Sequence, residues 1–156
     1  MAVLNASLDV ASPAETAFEL VCTVEKWPVW LAFLRSAELA DPAAPLAVGS
    51  EIRVRSVIPG EAEELYEVDT LIANYRLSLV GAYSVRRRID IRIERKTTLS
   101  RIRVRVDYPA YYGRLGALYD QLTAGRKLAS QLSDSLAHFK GLAEFDRSKD
   151  ALLADF

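Results

Sequence analysis

The sequence predicts an α+β domain in which an antiparallel sheet covers one long C-terminal helix. Between residues 51 and 108, apolar and polar side chains alternate along consecutive runs, which is the period of strands with one buried face. From about Tyr112 to Glu144 the apolar residues recur every three or four positions, as on one face of a helix. Because a sheet that is apolar on one face must bury that face, the long helix is its expected cover.

The elements before the long helix are predicted from local signals. Residues 3–10 form the first expected strand, and Ser12 and Glu15 have the spacing of a capping box at a helix start. A second short helix is expected over 25–34, where Trp30 lies on an apolar side. The expected strands that follow are 36–39, 51–58, 62–73, 75–83, 84–95 and 98–108.

Length and composition limit the classes of function. The chain has 156 residues, 51% of them hydrophobic, which suits one domain with a sizeable core. A net charge of −1 argues against a protein dedicated to nucleic acid. Neither a signal peptide nor a run near the roughly 18–20 apolar residues of a spanning helix is recognised. A cytoplasmic protein without integral membrane association is therefore expected.

Signatures of metal, cofactor and nucleophile sites are missing from the sequence. One histidine, His138, and one cysteine, Cys22, supply no ligand cluster, and no disulfide can form within the chain. Neither a G-x-S-x-G elbow nor a glycine-rich phosphate loop occurs. The sequence therefore predicts no metal and no cofactor, and it assigns no catalytic residue. It leaves open whether the protein forms a homodimer.

The stretch 84–108 is rich in arginine. These arginines mostly alternate with isoleucine and valine, so they are expected on the solvated face of two paired strands, opposite the face under the helix. Nucleic-acid binding is the alternative interpretation, but Asp90, Glu94 and Asp107 interrupt the basic surface. We therefore expect no nucleic-acid partner.

Arg87 differs from its neighbouring arginines. Counting back from Ile91 in steps of two places Arg87 on the inward face of the strand, together with Ile89 and Ile91. Either a β-bulge resets the alternation near Arg87, or the side chain points into the space under the helix or lies at its mouth. A buried guanidinium needs a partner such as a carboxylate, a group of carbonyls or an anionic ligand. If Arg87 points inward, an acidic amphiphile or an enolate-bearing substrate fits better than a neutral sterol.

A family resemblance rests on three segments. Residues 11–39, ASPAETAFELVCTVEKWPVWLAFLRSAEL, resemble the opening of SRPBCC (START-like) proteins, particularly the polyketide cyclase/dehydrase and lipid-transport group. Val48-Gly49 matches the usual turn before the third strand of that family. The segment LAHFKGLAE, at 136–144, resembles its typical helix end.

The resemblance covers residues 3–145, nearly the whole chain. It implies a helix-grip fold, in which a curved seven-stranded antiparallel sheet wraps around the C-terminal helix and two short helices lie between strands 1 and 2. We therefore expect a single domain over 1–145, followed by a tail at 146–156.

An apolar cavity between sheet and helix is what the resemblance implies for function. The leading hypothesis is binding of an apolar or amphipathic small molecule, such as a lipid or a polyketide-like compound. A cyclase/dehydratase-type enzyme using the same cavity is the alternative, although no carboxylate is recognised on the inward parity of the central strands. An interaction module without a small ligand is a third interpretation. The expected ligand-binding residues are Trp30, Phe33, Val54, Tyr66, Leu79, Arg87, Ile91, Val104, Leu118, Leu122 and Leu132.

Overall fold

One antiparallel sheet dominates the computed structural model. The described residues are 2–32, 34–56, 63–82, 87–97, 99–108 and 125–154. The strands are β1 Ala2–Val10, β2 Leu34–Leu39, β3 Glu51–Ser56, β4 Glu64–Ile72, β5 Arg76–Gly81, β6 Arg88–Arg95 and β7 Ser100–Tyr108. The helices in these ranges are α1 Ala14–Cys22, α2 Trp27–Trp30 and α3 Gly125–Ala154, with a 3-10 turn at Val24–Lys26.

The seven strands lie in the order β1-β7-β6-β5-β4-β3-β2, and each neighbouring pair is antiparallel. The chain therefore places β1 and β2 at opposite edges of the sheet, and α1 and α2 connect these two edges. The long helix α3 packs along β1 and against α2. This architecture confirms the predicted helix-grip fold, with the curved sheet around the C-terminal helix.

The core lies between the concave face of the sheet and the helices. Apolar residues of β6 and β7 alternate with outward polar residues, and the inward ones are almost fully buried. The inner stripe of α3 belongs to the same buried cluster and consists of Leu132, Leu136, Phe139 and Ala143. Trp30 of α2 packs edge-on against Phe139, with the ring centroids 4.9 Å apart. Burial of each large apolar side chain contributes about 1.5–3 kcal/mol, so this layer holds the helix on the sheet.

The predicted capping box at the start of α1 is wrong. The N-cap position is Pro13, and no side chain caps the helix there. Instead, the main-chain oxygen of Ser12 accepts a hydrogen bond of 2.8 Å from Ser100 Oγ of β7, while Glu15 forms an ion pair with Arg95 of β6. Both residues thus make tertiary contacts with the sheet, which the short-range motif does not encode.

The second helix is shorter than the sequence predicts. It ends at Trp30, and β2 already begins at Leu34, which pairs with Ser56 of β3. The main-chain N–H of Ala32 donates to Ser135 Oγ of α3 at 2.9 Å, which fixes the turn between α2 and β2. Strand pairing therefore prevails over the helical periodicity of this segment.

The long helix is described from Gly125 to Ala154. Its predicted start near Tyr112 lies outside the described residues. The helix continues through the segment from 146 that the sequence assigns to a tail, and the domain boundary at 145 stays a prediction.

The convex face of the sheet is solvated and carries many ion pairs, as the alternation predicts. Arg101 pairs with Asp9 and Arg105 with Asp107, at 2.7 and 2.9 Å. Asp90 is only 8% exposed and accepts hydrogen bonds from Arg76 and Arg92. Further convex pairs are Arg53 with Glu38, Arg55 with Glu63, Arg88 with Asp69 and Arg103 with Glu94.

Candidate functional site

The concave face becomes more accessible and more polar toward one end. Along β6, Ile93 and Ile91 are 1% and 3% exposed, Ile89 is partly buried, and the side chain of Arg87 is 38% exposed. Along β4 the same trend runs from Val68, which is fully buried, to Glu64. This end of the face lies at the starts of β4 and β6, and we call it the polar end.

Most of the predicted ligand-binding residues lie on this concave face or on the helices that cover it. Each aliphatic or aromatic member in the described part of the chain is at most 6% exposed. These residues are Trp30, Val54, Tyr66, Leu79, Ile91, Val104 and Leu132. Three other predicted residues, Phe33, Leu118 and Leu122, lie outside the described residues. Whether the buried set lines a ligand cavity stays a prediction.

Arg87 points to the concave side at the polar end. In the β5–β6 ladder Val80 is opposite Arg88. The next pair follows without a shift, because the Gly81 N–H donates to the main-chain oxygen of Arg87 at 2.8 Å. The Arg87 guanidinium lies 3.3 Å from the Tyr66 hydroxyl through Nη1. The described part of this ladder therefore has no bulge at Arg87, and the side chain lies on the concave side at its rim, one of the placements that the sequence left open.

Gly81 explains how Arg87 reaches Tyr66 across a strand. Tyr66 of β4 is opposite Gly81 of β5, and Gly81 is bonded to Arg87 on the other side. Residues opposite one another share a face of the sheet, so these three positions form one inward row. Because glycine has no side chain, the long arginine side chain can lie across this row.

Glu64 is the member of this polar group that sequence reasoning missed. It is opposite Val54, which is buried, so its side chain shares the concave face. Its Oε2 accepts a hydrogen bond of 2.7 Å from the Tyr66 hydroxyl and lies 3.4 Å from Arg87 Nη1. The signal was present in the sequence, because Glu64 lies two residues before the inward Tyr66.

The three side chains form a compact acid, phenol and guanidinium group at the polar end. Burial raises the pKa of the Tyr66 phenol well above its usual value, and the nearby Glu64 carboxylate also raises it, while Arg87 opposes the shift. Tyr66 is therefore a hydrogen-bond donor at neutral pH and not a base. The group presents a carboxylate, a phenol donor and a guanidinium beside an apolar surface. It can bind an oxygen atom or assist proton transfer.

Other reactive groups do not add to this site. His138 is exposed on α3, and burial raises the pKa of the Cys22 thiol to about 11, which keeps it protonated at neutral pH. In the described ranges, no cluster of histidine, cysteine and acidic residues could hold a metal ion. A search of the same ranges finds no helix long and apolar enough to cross a membrane.

An open groove of about 380 Å³ lies on the convex face, away from the polar end. Its charged lining consists of Asp90, Arg92, Arg103 and Arg105, all of which belong to the ion pairs of the solvated face. The pairs made by Arg103 and Arg105 are exposed, and ion pairs of that kind contribute about 0–1 kcal/mol each, so they are weak evidence for recognition.

The protein has a curved antiparallel sheet around a C-terminal helix, with an apolar concave face and a small polar group at one end. These features define a helix-grip protein of the START-like class. The family model for "Polyketide cyclase / dehydrase and lipid transport" matches residues 1–144. The chain belongs to this family. A comparison with curated proteins finds no match.

Solved structures of low sequence identity share the fold. The ZhuI aromatase/cyclase from Streptomyces sp. R1128 superposes with a TM-score of 0.73 at 14% identity, over 92% of this chain and 93% of that chain. A START superfamily protein from Mycobacterium smegmatis gives a TM-score of 0.68 at 19% identity, over 91% and 97%. The di-domain ARO/CYC BexL of the BE-7585A biosynthetic pathway gives 0.68 at 18% identity, over 90% of this chain and 46% of that chain.

Proposed function

We propose that this protein binds an apolar or amphipathic small molecule, such as a lipid or a polyketide-like compound, between the sheet and α3. The observation that carries the proposal is the meeting of Glu64, Tyr66 and Arg87 at the open end of an apolar face. Ligand sites are typically apolar surfaces with a few polar groups that fix the orientation of the ligand. Family membership supports the same function.

The ligand's apolar part would lie on the inward residues of β5, β6 and β7. Leu79 is opposite Ile89, and Ile89 is opposite Val106, so these three form a continuous apolar row next to the polar end. Leu79 and Val106 are 2% and 5% exposed. A ligand therefore reaches this surface only by displacing the side chains that cover it. Because a ligand that binds only the folded state stabilises that state, we expect binding to raise Tm.

The test uses the uncharged fluorophore Nile red and two tryptophan variants. Ile89→Trp fills the concave face beside the polar end, whereas Val80→Trp adds the same ring to the convex face of the adjacent strand. We expect wild-type protein and Val80→Trp to enhance Nile red fluorescence, and Ile89→Trp to lose most of the enhancement. Equal binding by both variants, at unchanged Tm, would contradict the proposed location.

Native mass spectrometry of protein purified from its own host complements the dye experiment. A co-purified small molecule that is lost in Ile89→Trp and retained in Val80→Trp would support binding on the concave face. Absence of any adduct, together with no Nile red binding, would remove the proposal.

A cyclase/dehydratase-type activity is the second candidate, and the position of Glu64 favours it. A carboxylate can remove a proton from the carbon beside a carbonyl, while Arg87 and Tyr66 stabilise the resulting enolate oxygen. Two of the solved structures described above, an aromatase/cyclase and a di-domain ARO/CYC, share the fold, which is consistent with such a reaction. The test is deuterium uptake beside the carbonyl of a long-chain methyl ketone in D2O. We expect uptake with wild-type protein and none above background with Glu64→Gln.

A further inference from the structure

The group at the polar end contains its own counterion, and this limits which ligands it can accept. Glu64 supplies one negative charge and Arg87 one positive charge, with 3.4 Å between Oε2 and Nη1. Tyr66 is a neutral phenol that donates to the same carboxylate oxygen. These three side chains together therefore carry no net charge.

We propose that Glu64 acts as a charge filter, so that the site selects neutral oxygen acceptors such as ketone, ester or alcohol groups and disfavours carboxylates. This inference rests on the proposed function and names the chemical class of its ligand. It also changes the expectation from the sequence, in which an inward arginine without an assigned partner indicated an acidic amphiphile or an enolate-bearing substrate.

The physical reason lies in what each type of ligand does to Glu64. A neutral carbonyl oxygen can accept from Arg87 while the Glu64–Arg87 pair and the Tyr66–Glu64 hydrogen bond stay intact, because a guanidinium has five N–H donors. A ligand carboxylate in the same place lies beside the Glu64 carboxylate and competes with it for the same two donors. Like charges a few ångströms apart repel strongly at partly buried sites.

The side-chain exposures set the expected size of the effect. Glu64 and Arg87 are 30% and 38% exposed, so water weakens the repulsion but does not remove it. We expect a neutral ligand to bind about tenfold more tightly than the carboxylate of the same chain length.

The test compares decanoate with methyl decanoate, which share an alkyl chain and differ in charge. Their affinities are measured by displacement of Nile red from wild-type protein, Glu64→Gln and Arg87→Gln. Wild-type protein should prefer the ester about tenfold. Glu64→Gln should invert the preference, because the carboxylate that repels the fatty acid is then gone while Arg87 keeps its positive charge. Arg87→Gln should strengthen the preference for the ester, because the negative charge of Glu64 is then uncompensated by Arg87.

The matched control is Glu67→Gln, which removes a carboxylate from the same strand on the exposed, convex face. It should keep the wild-type ratio of affinities. The inference is overturned if wild-type protein prefers decanoate, or if Glu64→Gln binds both compounds with the wild-type ratio. It is also overturned if wild-type protein binds Nile red on the concave face and neither compound displaces it, in which case the proposed function stands. Failure of Nile red itself to bind, with no co-purified molecule, removes the proposed function and the charge filter together.

Discussion

The hydrogen bond between Tyr66 and Glu64 gives a quantitative prediction for Tyr66→Phe. The substitution keeps the buried ring and removes only the hydroxyl, which donates to Glu64 Oε2 at 2.7 Å and accepts from Arg87 Nη1 at 3.3 Å. Hydrogen bonds to charged groups contribute about 1.5–3 kcal/mol. Because Glu64 and Arg87 are 30% and 38% exposed, water can replace part of this bond. We expect a loss of about 1–2 kcal/mol in the free energy of unfolding.

The assay is urea and thermal unfolding followed by circular dichroism. For a chain of this length, a loss of about 1–2 kcal/mol lowers Tm by roughly 2–8 °C. Tyr75→Phe is the matched control, because Tyr75 is 41% exposed and its hydroxyl has no hydrogen bond within the described part of the chain. In a double-mutant cycle, Tyr66→Phe and Glu64→Gln should be non-additive by about 1 kcal/mol. Equal Tm values for the two tyrosine variants, or an additive cycle, would refute the geometry described for the polar end.

Three further predictions concern other parts of the molecule. Ser135→Ala should lower the free energy of unfolding by about 1–3 kcal/mol, measured in urea, because the buried Ser135 hydroxyl accepts the Ala32 N–H. Alkylation of Cys22 by iodoacetamide, followed by mass spectrometry, should be about 100-fold slower near pH 8 than for a thiol with the reference pKa of 9.0, because burial raises the pKa of Cys22 to about 11. Asp9→Asn should lower Tm near neutral pH but not in acid, because the hydrogen bond from Arg101 lowers the pKa of Asp9 from its reference value of 3.8.

Each of these predictions has a defined sign, and the serine variant has a matched control. Ser130→Ala, at an exposed position of the same helix, should leave stability unchanged within about 0.5 kcal/mol. Since the pKa of Cys22 is raised, its contribution to stability is present below the reference pKa and is lost as the pH rises toward the raised one. Since the pKa of Asp9 is lowered, its contribution is present above pH 3.8 and is lost as the pH falls through the lowered value. A Tm difference for Asp9→Asn that grows in acid, or rapid alkylation of folded protein, would contradict these assignments.

The candidate site was predicted in part. Alternation alone placed Ile91, Val104 and Arg87 on the inward parity, and the structure agrees. The same rule applied to β4 would have placed Glu64 beside Tyr66 on the concave face. It was missed because Glu64 lies among five acids between 61 and 69, and the alternation was not extended from the inward Tyr66 to its neighbours.

The start of the first helix, α1, was predicted less well. A capping box is a short-range pattern, and Ser12 and Glu15 have the required spacing. In the folded chain, Ser12 is fully buried and bonds to Ser100, which lies 88 residues away in the sequence. Contacts of that sequence separation are invisible to a motif of four residues.

The sequence by itself determined the fold class, the faces of the strands and the inner stripe of the long helix. These properties depend on residue periods of two and 3.6, which are local and can be read from neighbouring residues. Only the tertiary structure decided that Arg87 meets Glu64, 23 residues earlier in the chain. The two residues lie on either side of β5, so their meeting depends on the registers of two ladders and on the absence of a side chain at Gly81. A register is a property of paired strands and not of one strand, which is why the polar end became visible only in the folded sheet.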